Sequence, residues 1–130
     1  MVQGINYPGA ITGFYTVANG RTFGFVRDPH GQFTSFDTGA NTFPRSINNL
    51  GAITGSYTDS SGTHGFVRSP EGSVTSFDPP RELRFCPNLA QFPSFAPPTI
   101  PTGINDDGVI TGYCQTGLIP VEVPGWVRFP

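Results

Sequence analysis

Gly4-Ile5-Asn6-Tyr7-Pro8-Gly9-Ala10-Ile11-Thr12-Gly13 is a stretch that this chain writes three times. It returns as Ser46-Ile47-Asn48-Asn49-Leu50-Gly51-Ala52-Ile53-Thr54-Gly55, and again as Gly103-Ile104-Asn105-Asp106-Asp107-Gly108-Val109-Ile110-Thr111-Gly112. Asn, Pro and Gly each favour turn geometry. The β-branched and apolar residues that follow favour a strand. Each copy therefore reads as a hairpin: a strand end, a turn, and the start of a second strand.

Working outward, the copies continue to match. Gly24-Phe25-Val26-Arg27 lies on Gly65-Phe66-Val67-Arg68, and Thr34-Ser35-Phe36-Asp37 lies on Thr75-Ser76-Phe77-Asp78. Upstream, Thr42-Phe43-Pro44-Arg45-Ser46-Ile47-Asn48 lies on Thr99-Ile100-Pro101-Thr102-Gly103-Ile104-Asn105. The unit thus begins with a strand that ends at the Ile-Asn pair, and a complete unit has four strands. The first is expected over 2–6, 10–16, 22–27 and 32–37. The second is expected over 42–48, 52–58, 63–68 and 73–78. The third has 99–105, 109–114 and 123–128 and lacks its last strand. A single domain over 1–130 divides into repeat 1 (1–41), repeat 2 (42–78), an insertion (79–98) rich in Pro and Phe, and repeat 3 (99–130).

In the second strand of each unit, neither alternating side carries charge, so both faces read as buried. That suits four-stranded sheets stacked face to face, with Gly13, Gly55 and Gly112 letting a neighbouring sheet approach. The chain has 17 Gly and 14 Pro, but they recur in register between apolar runs and read as turn punctuation, not disorder. There is no Lys, and the formal net charge is −2. That argues against a nucleic-acid partner, which would need a basic face. No apolar run reaches the roughly 20 residues of a membrane span, and Met1-Val2-Gln3-Gly4 shows no signal-peptide pattern.

The pattern Gly-Ile-Asn-x-x-Gly-x-Ile-x-Gly-x-Tyr, then His-Gly-Phe, then Thr-x-Phe-Asp, resembles the bacterial extracellular repeats called the HAF family. The fullest match runs over 47–78, with His64-Gly65-Phe66 in the name-giving place; copy one has Phe23 there and copy three has Pro124-Gly125-Trp126. The resemblance implies an extracellular or cell-surface setting and a β-propeller-like array. Such arrays carry more copies than three. The fold class expected is therefore all-β, with three four-stranded antiparallel repeats, the third lacking its last strand, as propeller-like blades closing by oligomerisation. A ring needs about 4–8 blades, so a homo-oligomer, with a dimer favoured, is the expected partner state. The alternatives are a single-chain β-trefoil or β-prism, or an open filament.

Cys114 ends the second strand of repeat 3, and Cys86 lies in the insertion at the same end of the unit. In a chain resembling extracellular repeats they are expected to form a disulfide, worth about 3 kcal/mol in the loop-entropy account. The insertion breaks the repeat symmetry and brings Arg81, Glu82 and Arg84 towards the loops that carry Arg21, His64 and Glu122. Loops on a rigid β scaffold are where binding usually sits. The candidate ligand-binding set is Arg21, His64, Arg81, Arg84 and Trp126. Recurrent Arg27, Arg68 and Arg128 read as structural partners of Asp37 and Asp78, and Asn6, Asn48 and Asn105 as turn formers. No metal loop, nucleophile elbow or phosphate loop is present, and no cofactor is implied. The function expected is a non-enzymatic, lectin-like carbohydrate- or surface-binding module, with Trp126, Phe and Arg suited to sugar. A structural filament or surface-layer subunit is the second reading. An enzyme at the insertion end, with His64 or Glu82 as base, is the third.

Overall fold

The computed structural model describes residues 1–78, 98–114 and 125–130. The sequence repeats become three separate antiparallel sheets. Sheet 1 holds β1 (Val2–Ile5), β2 (Ile11–Thr16), β3 (Thr22–Arg27) and β4 (Phe33–Phe36) in chain order. Sheet 2 repeats this with β5 (Asn41–Ile47), β6 (Ile53–Asp59), β7 (Gly62–Arg68) and β8 (Val74–Phe77). Sheet 3 has β9 (Thr99–Ile104), β10 (Ile110–Cys114) and β11 (Gly125–Arg128). Among the described residues no strand of one repeat pairs with a strand of another. A trefoil would instead weave strands of all three repeats into one barrel.

The opening hairpin forms for local reasons. Asn6 Oδ1 accepts the Ala10 amide at 2.7 Å, and Gly9, at φ 94°, turns the chain back so that its amide meets the Asn6 carbonyl at 3.1 Å. Asn48 with Gly51 and Ala52, and Asn105 with Gly108 and Val109, repeat the same bonds. The asparagines act through their side chains, since no residue other than Gly takes a positive φ among those described. Each first strand also carries a register shift, between Val2 and Gly4, between Pro44 and Ser46, and opposite Thr111 and Gly112. Pro44, which has no N–H to donate, sits at such an irregularity.

The glycines of the second strands serve a different neighbour from the one expected. Gly13, Gly55 and Gly112 pair with Phe25, Phe66 and Trp126. A Cβ at Gly55 would overlap the Phe43 carbonyl of β5, and one at Gly112 would overlap Trp126 and the Ile100 carbonyl. The close approach is therefore within each sheet. Gly24 and Gly4 meet a neighbouring sheet instead, where an added Cβ would lie 2.7 Å from Pro44 Cγ and 3.3 Å from Ser46 Cα, respectively.

The sheets stack in order, and the core lies between them. Ala10, Ile47, Ile53 and Phe66, with Val26 and Phe36 against them, fill the first joint. Ile110, Cys114 and Trp126, with Val67 and Phe77, fill the second. In the first joint Phe36 of sheet 1 meets Phe66 edge-on at 6.2 Å and lies 4.9 Å under the Arg68 guanidinium. In the second, Phe77 of sheet 2 meets Trp126 at 5.8 Å and lies 4.6 Å under Arg128. Edge-to-face rings and cation–π contacts each contribute on the order of 1 kcal/mol beyond burial. This corrects the expected Arg–Asp pairing: Arg68 and Arg128 clamp the aromatic ring of the preceding sheet.

The turns also join the sheets. Asn6 Nδ2 donates to the Asn48 carbonyl at 3.0 Å, and Asn48 Nδ2 to the Asn105 carbonyl at 2.9 Å. Beside them the Tyr7 amide donates to Asn49 Oδ1, and the Asn49 amide to Asp106 Oδ1. One side chain thus closes a turn with its oxygen and ties the next sheet with its nitrogen.

Candidate functional site

The end of sheets 1 and 2 away from the asparagine turns carries Arg21, Asp37, Asp59, His64 and Asp78. There Asp37 receives Arg21 at 3.0 Å. Asp78, its counterpart in sheet 2, receives His64 Nδ1 at 2.8 Å. His64 is the cross-strand partner of Tyr57, whose ring lies 5.2 Å away.

A cleft of about 250 Å³ opens beside these pairs, lined by Asp37 and Thr38 from the end of sheet 1 and by Tyr57, Val74 and Ser76 from sheet 2. Tyr57, Ser76 and Val74 line it together because side chains alternate along a strand. Tyr57, His64, Phe66 and Arg68 share one face of sheet 2, and the register places Ser76 opposite Phe66 and Val74 opposite Arg68. The lining offers a carboxylate, two aliphatic hydroxyls, a phenol and an aliphatic wall.

His64 also touches the hairpin above it. Ser61 Oγ lies 2.9 Å from His64 Nε2, so a hydroxyl, an imidazole and a carboxylate stand in line. The hydroxyl is not free for chemistry, because it donates to Asp59 Oδ1 at 2.6 Å. The Ser61 and Gly62 amides, which could otherwise face an oxyanion, also point to Asp59 Oδ1. The Ser61 hydroxyl, and then its amide, hold the Asp59 carboxyl below its ordinary pKa. The cluster is thus a turn tied to a histidine, without the free donors that acyl transfer needs.

Of the residues expected to bind ligand, Arg21 and His64 border this end of the molecule. Trp126 does not. It is 5 % exposed and packed edge-on to Phe77 in the second joint, so its ring has no open face. Arg81, Arg84, Glu82, Glu122 and Cys86 lie outside the described residues. Cys114 is wholly buried beside Ile110 and Trp126, and no free cysteine is found among the described residues. Among the described residues there is no group of three or more metal-ligating side chains, and no helix long and apolar enough to cross a membrane. Sequence reading missed Thr38, Tyr57, Val74 and Ser76 as a lining set, because only stacking brings the end of one repeat to the face of the next. The recurrence of Asp37 and Asp78 was the available signal.

Comparison with protein-family models, with curated proteins and with solved structures found no match to this chain.

Proposed function

We propose that this chain is a non-enzymatic binding module that holds a carbohydrate in the cleft between sheets 1 and 2. The observation that carries the reading is the lining itself. Asp37, Thr38 and Ser76 offer acceptors and donors for sugar hydroxyls, and Tyr57, backed by His64, offers a ring for the apolar face of a pyranose. A concave site with a few convergent polar groups and an aromatic wall is the usual form of such a pocket. Tyr57→Ala should abolish glycan binding, and Ser76→Ala should weaken it about tenfold, the loss expected of one hydrogen bond to a ligand. A glycan array and titration calorimetry on the folded variants provide the test. An array with no binder for the wild-type chain would remove the reading.

In this proposal the stacked sheets are blades of a β-propeller assembled from more than one copy, a dimer in the simplest case, in an extracellular or cell-surface setting like that of the HAF repeats the sequence resembles. The proposal includes a disulfide between Cys86 and Cys114, as an oxidising setting would allow.

A further inference from the structure

The open face of sheet 1 differs from its counterparts in one respect: nothing among the described residues covers it. Val2, Ile5, Ile11, Tyr15, Phe23, Phe25 and Phe33 share that face by strand register. Ile5 and Ile47 hold the same place in their repeats, yet Ile5 is 69 % exposed and Ile47 is 6 % exposed. Sheet 1 lies over Ile47, and no described residue lies over Ile5. Arg27 is likewise exposed where Arg68 is buried. A terminal repeat that stays in solvent normally carries a polar outer face; here Val2 is 63 % and Phe33 55 % exposed.

At the other end, sheet 3 presents the surface type that covers each following sheet. Val26 packs into the first joint and Val67 into the second. Val127, their counterpart on β11, is 49 % exposed. The asparagine chain is open at both ends in the same sense. The Asn48 and Asn105 carbonyls each accept two bonds, one from their own turn glycine and one from the preceding asparagine. The Asn6 carbonyl has the Gly9 amide and space for a second donor.

We propose that sheet 3 of one copy stacks on the open face of sheet 1 of a second copy, head to tail, continuing the joint that already links sheets 1, 2 and 3. In this register Asn105 Nδ2 of one copy donates to the Asn6 carbonyl of the next, and Val127 covers Ile5 and Ile11. The inference rests on the multi-copy propeller reading above and names its interface. One feature fits this joint in particular, and one sets it apart from the earlier two. Sheet 3 lacks, among the described residues, the ring that Phe36 and Phe77 supply at the earlier joints. Sheet 1 supplies one of its own: Phe33, where sheet 2 has Val74, stacks on Phe25 at 4.6 Å. Tyr7 stands where Asn49 and Asp106 stand and its side chain has no carbonyl or carboxylate oxygen, so the second bond of the turn ladder is absent from this joint.

The joint is heterologous: each partner uses a different face. That gives a test which a symmetric dimer fails. Ile5→Glu and Val127→Glu each place a charge on one face, at residues exposed enough to leave the fold intact, as circular dichroism and thermal melts would check. Sedimentation should show the wild-type chain as two or more copies of the 13.9 kDa chain. Each variant alone should run as a monomer, and an equimolar mixture should recover a two-copy species, because one unaltered face remains on each partner. A monomeric wild-type chain overturns the proposal. So does a mixture that stays monomeric, or an Ile5→Glu variant that still associates. Glycan titration of the wild-type chain separates the two readings: sugar binding by a wild-type chain that stays monomeric would leave the sugar site standing and remove only the joint.

Discussion

Replacing Asn48 with alanine should destabilise the chain more than the same change at Asn105. The Asn48 side chain makes two hydrogen bonds, from the Ala52 amide to Oδ1 at 2.8 Å and from Nδ2 to the Asn105 carbonyl at 2.9 Å. The residue is buried, so water does not fully replace what is lost. Two net bonds at about 1 kcal/mol each, plus part of the penalty for leaving an amide and a carbonyl unpaired, give roughly 2–4 kcal/mol. Asn105 is exposed, and its side chain closes its own turn by a single bond, from the Val109 amide. Asn105→Ala should therefore cost about 1 kcal/mol. With a urea slope of about 1.5 kcal/mol/M for a small domain, the midpoint should fall by about 2 M for Asn48→Ala and under 1 M for Asn105→Ala. The measurement is urea unfolding followed by tryptophan fluorescence and far-ultraviolet circular dichroism, at chain concentrations low enough to exclude association. Equal shifts for the two variants, at unchanged slope, would show that the bridge between sheets contributes nothing and would refute the argument.

Gly55→Ala should cost about 3 kcal/mol or more, because its Cβ would meet the Phe43 carbonyl and lie 2.7 Å from Pro44 Cα, both backbone. Gly103→Ala, where the nearest atom is the Thr111 hydroxyl at 3.1 Å, should cost about 1 kcal/mol by comparison, and thermal melts of the pair check the ranking. The Asp59 carboxyl lies below its ordinary pKa, held first by the Ser61 hydroxyl. A depressed folded value means that its contribution is complete above the ordinary carboxylate pKa and lost as pH falls through the lower folded one. The 59–62 turn should therefore hold at neutral pH and loosen in acid, and Ser61→Ala should raise the Asp59 midpoint in an NMR titration; an unmoved midpoint would contradict this. Thiol labelling under denaturing, non-reducing conditions should find no free thiol, and reduction should lower stability by about 3 kcal/mol; two labelled thiols would remove the disulfide.

The amino-acid sequence by itself determined the hairpins. Asn6, Asn48 and Asn105 close their turns with atoms four residues away, and Gly9, Gly51 and Gly108 supply the positive φ, so the information is local and repeats visibly. It determined the sheet register too, because a one-residue slip would turn Ile53 and Phe66 away from the core. Only the tertiary structure decided what the sheets do to each other. The Arg68 and Arg128 side chains could have met the recurrent aspartates, but stacking offered them the rings of Phe36 and Phe77. Trp126 looked available to a ligand until the neighbouring sheet covered it. The cleft at Asp37, Thr38, Tyr57, Val74 and Ser76 combines two repeats, so no spacing within either one foretells it. Short-range hydrogen bonding and alternation fix each sheet, whereas the choice of partner across a joint depends on shapes that exist only once the sheets are stacked.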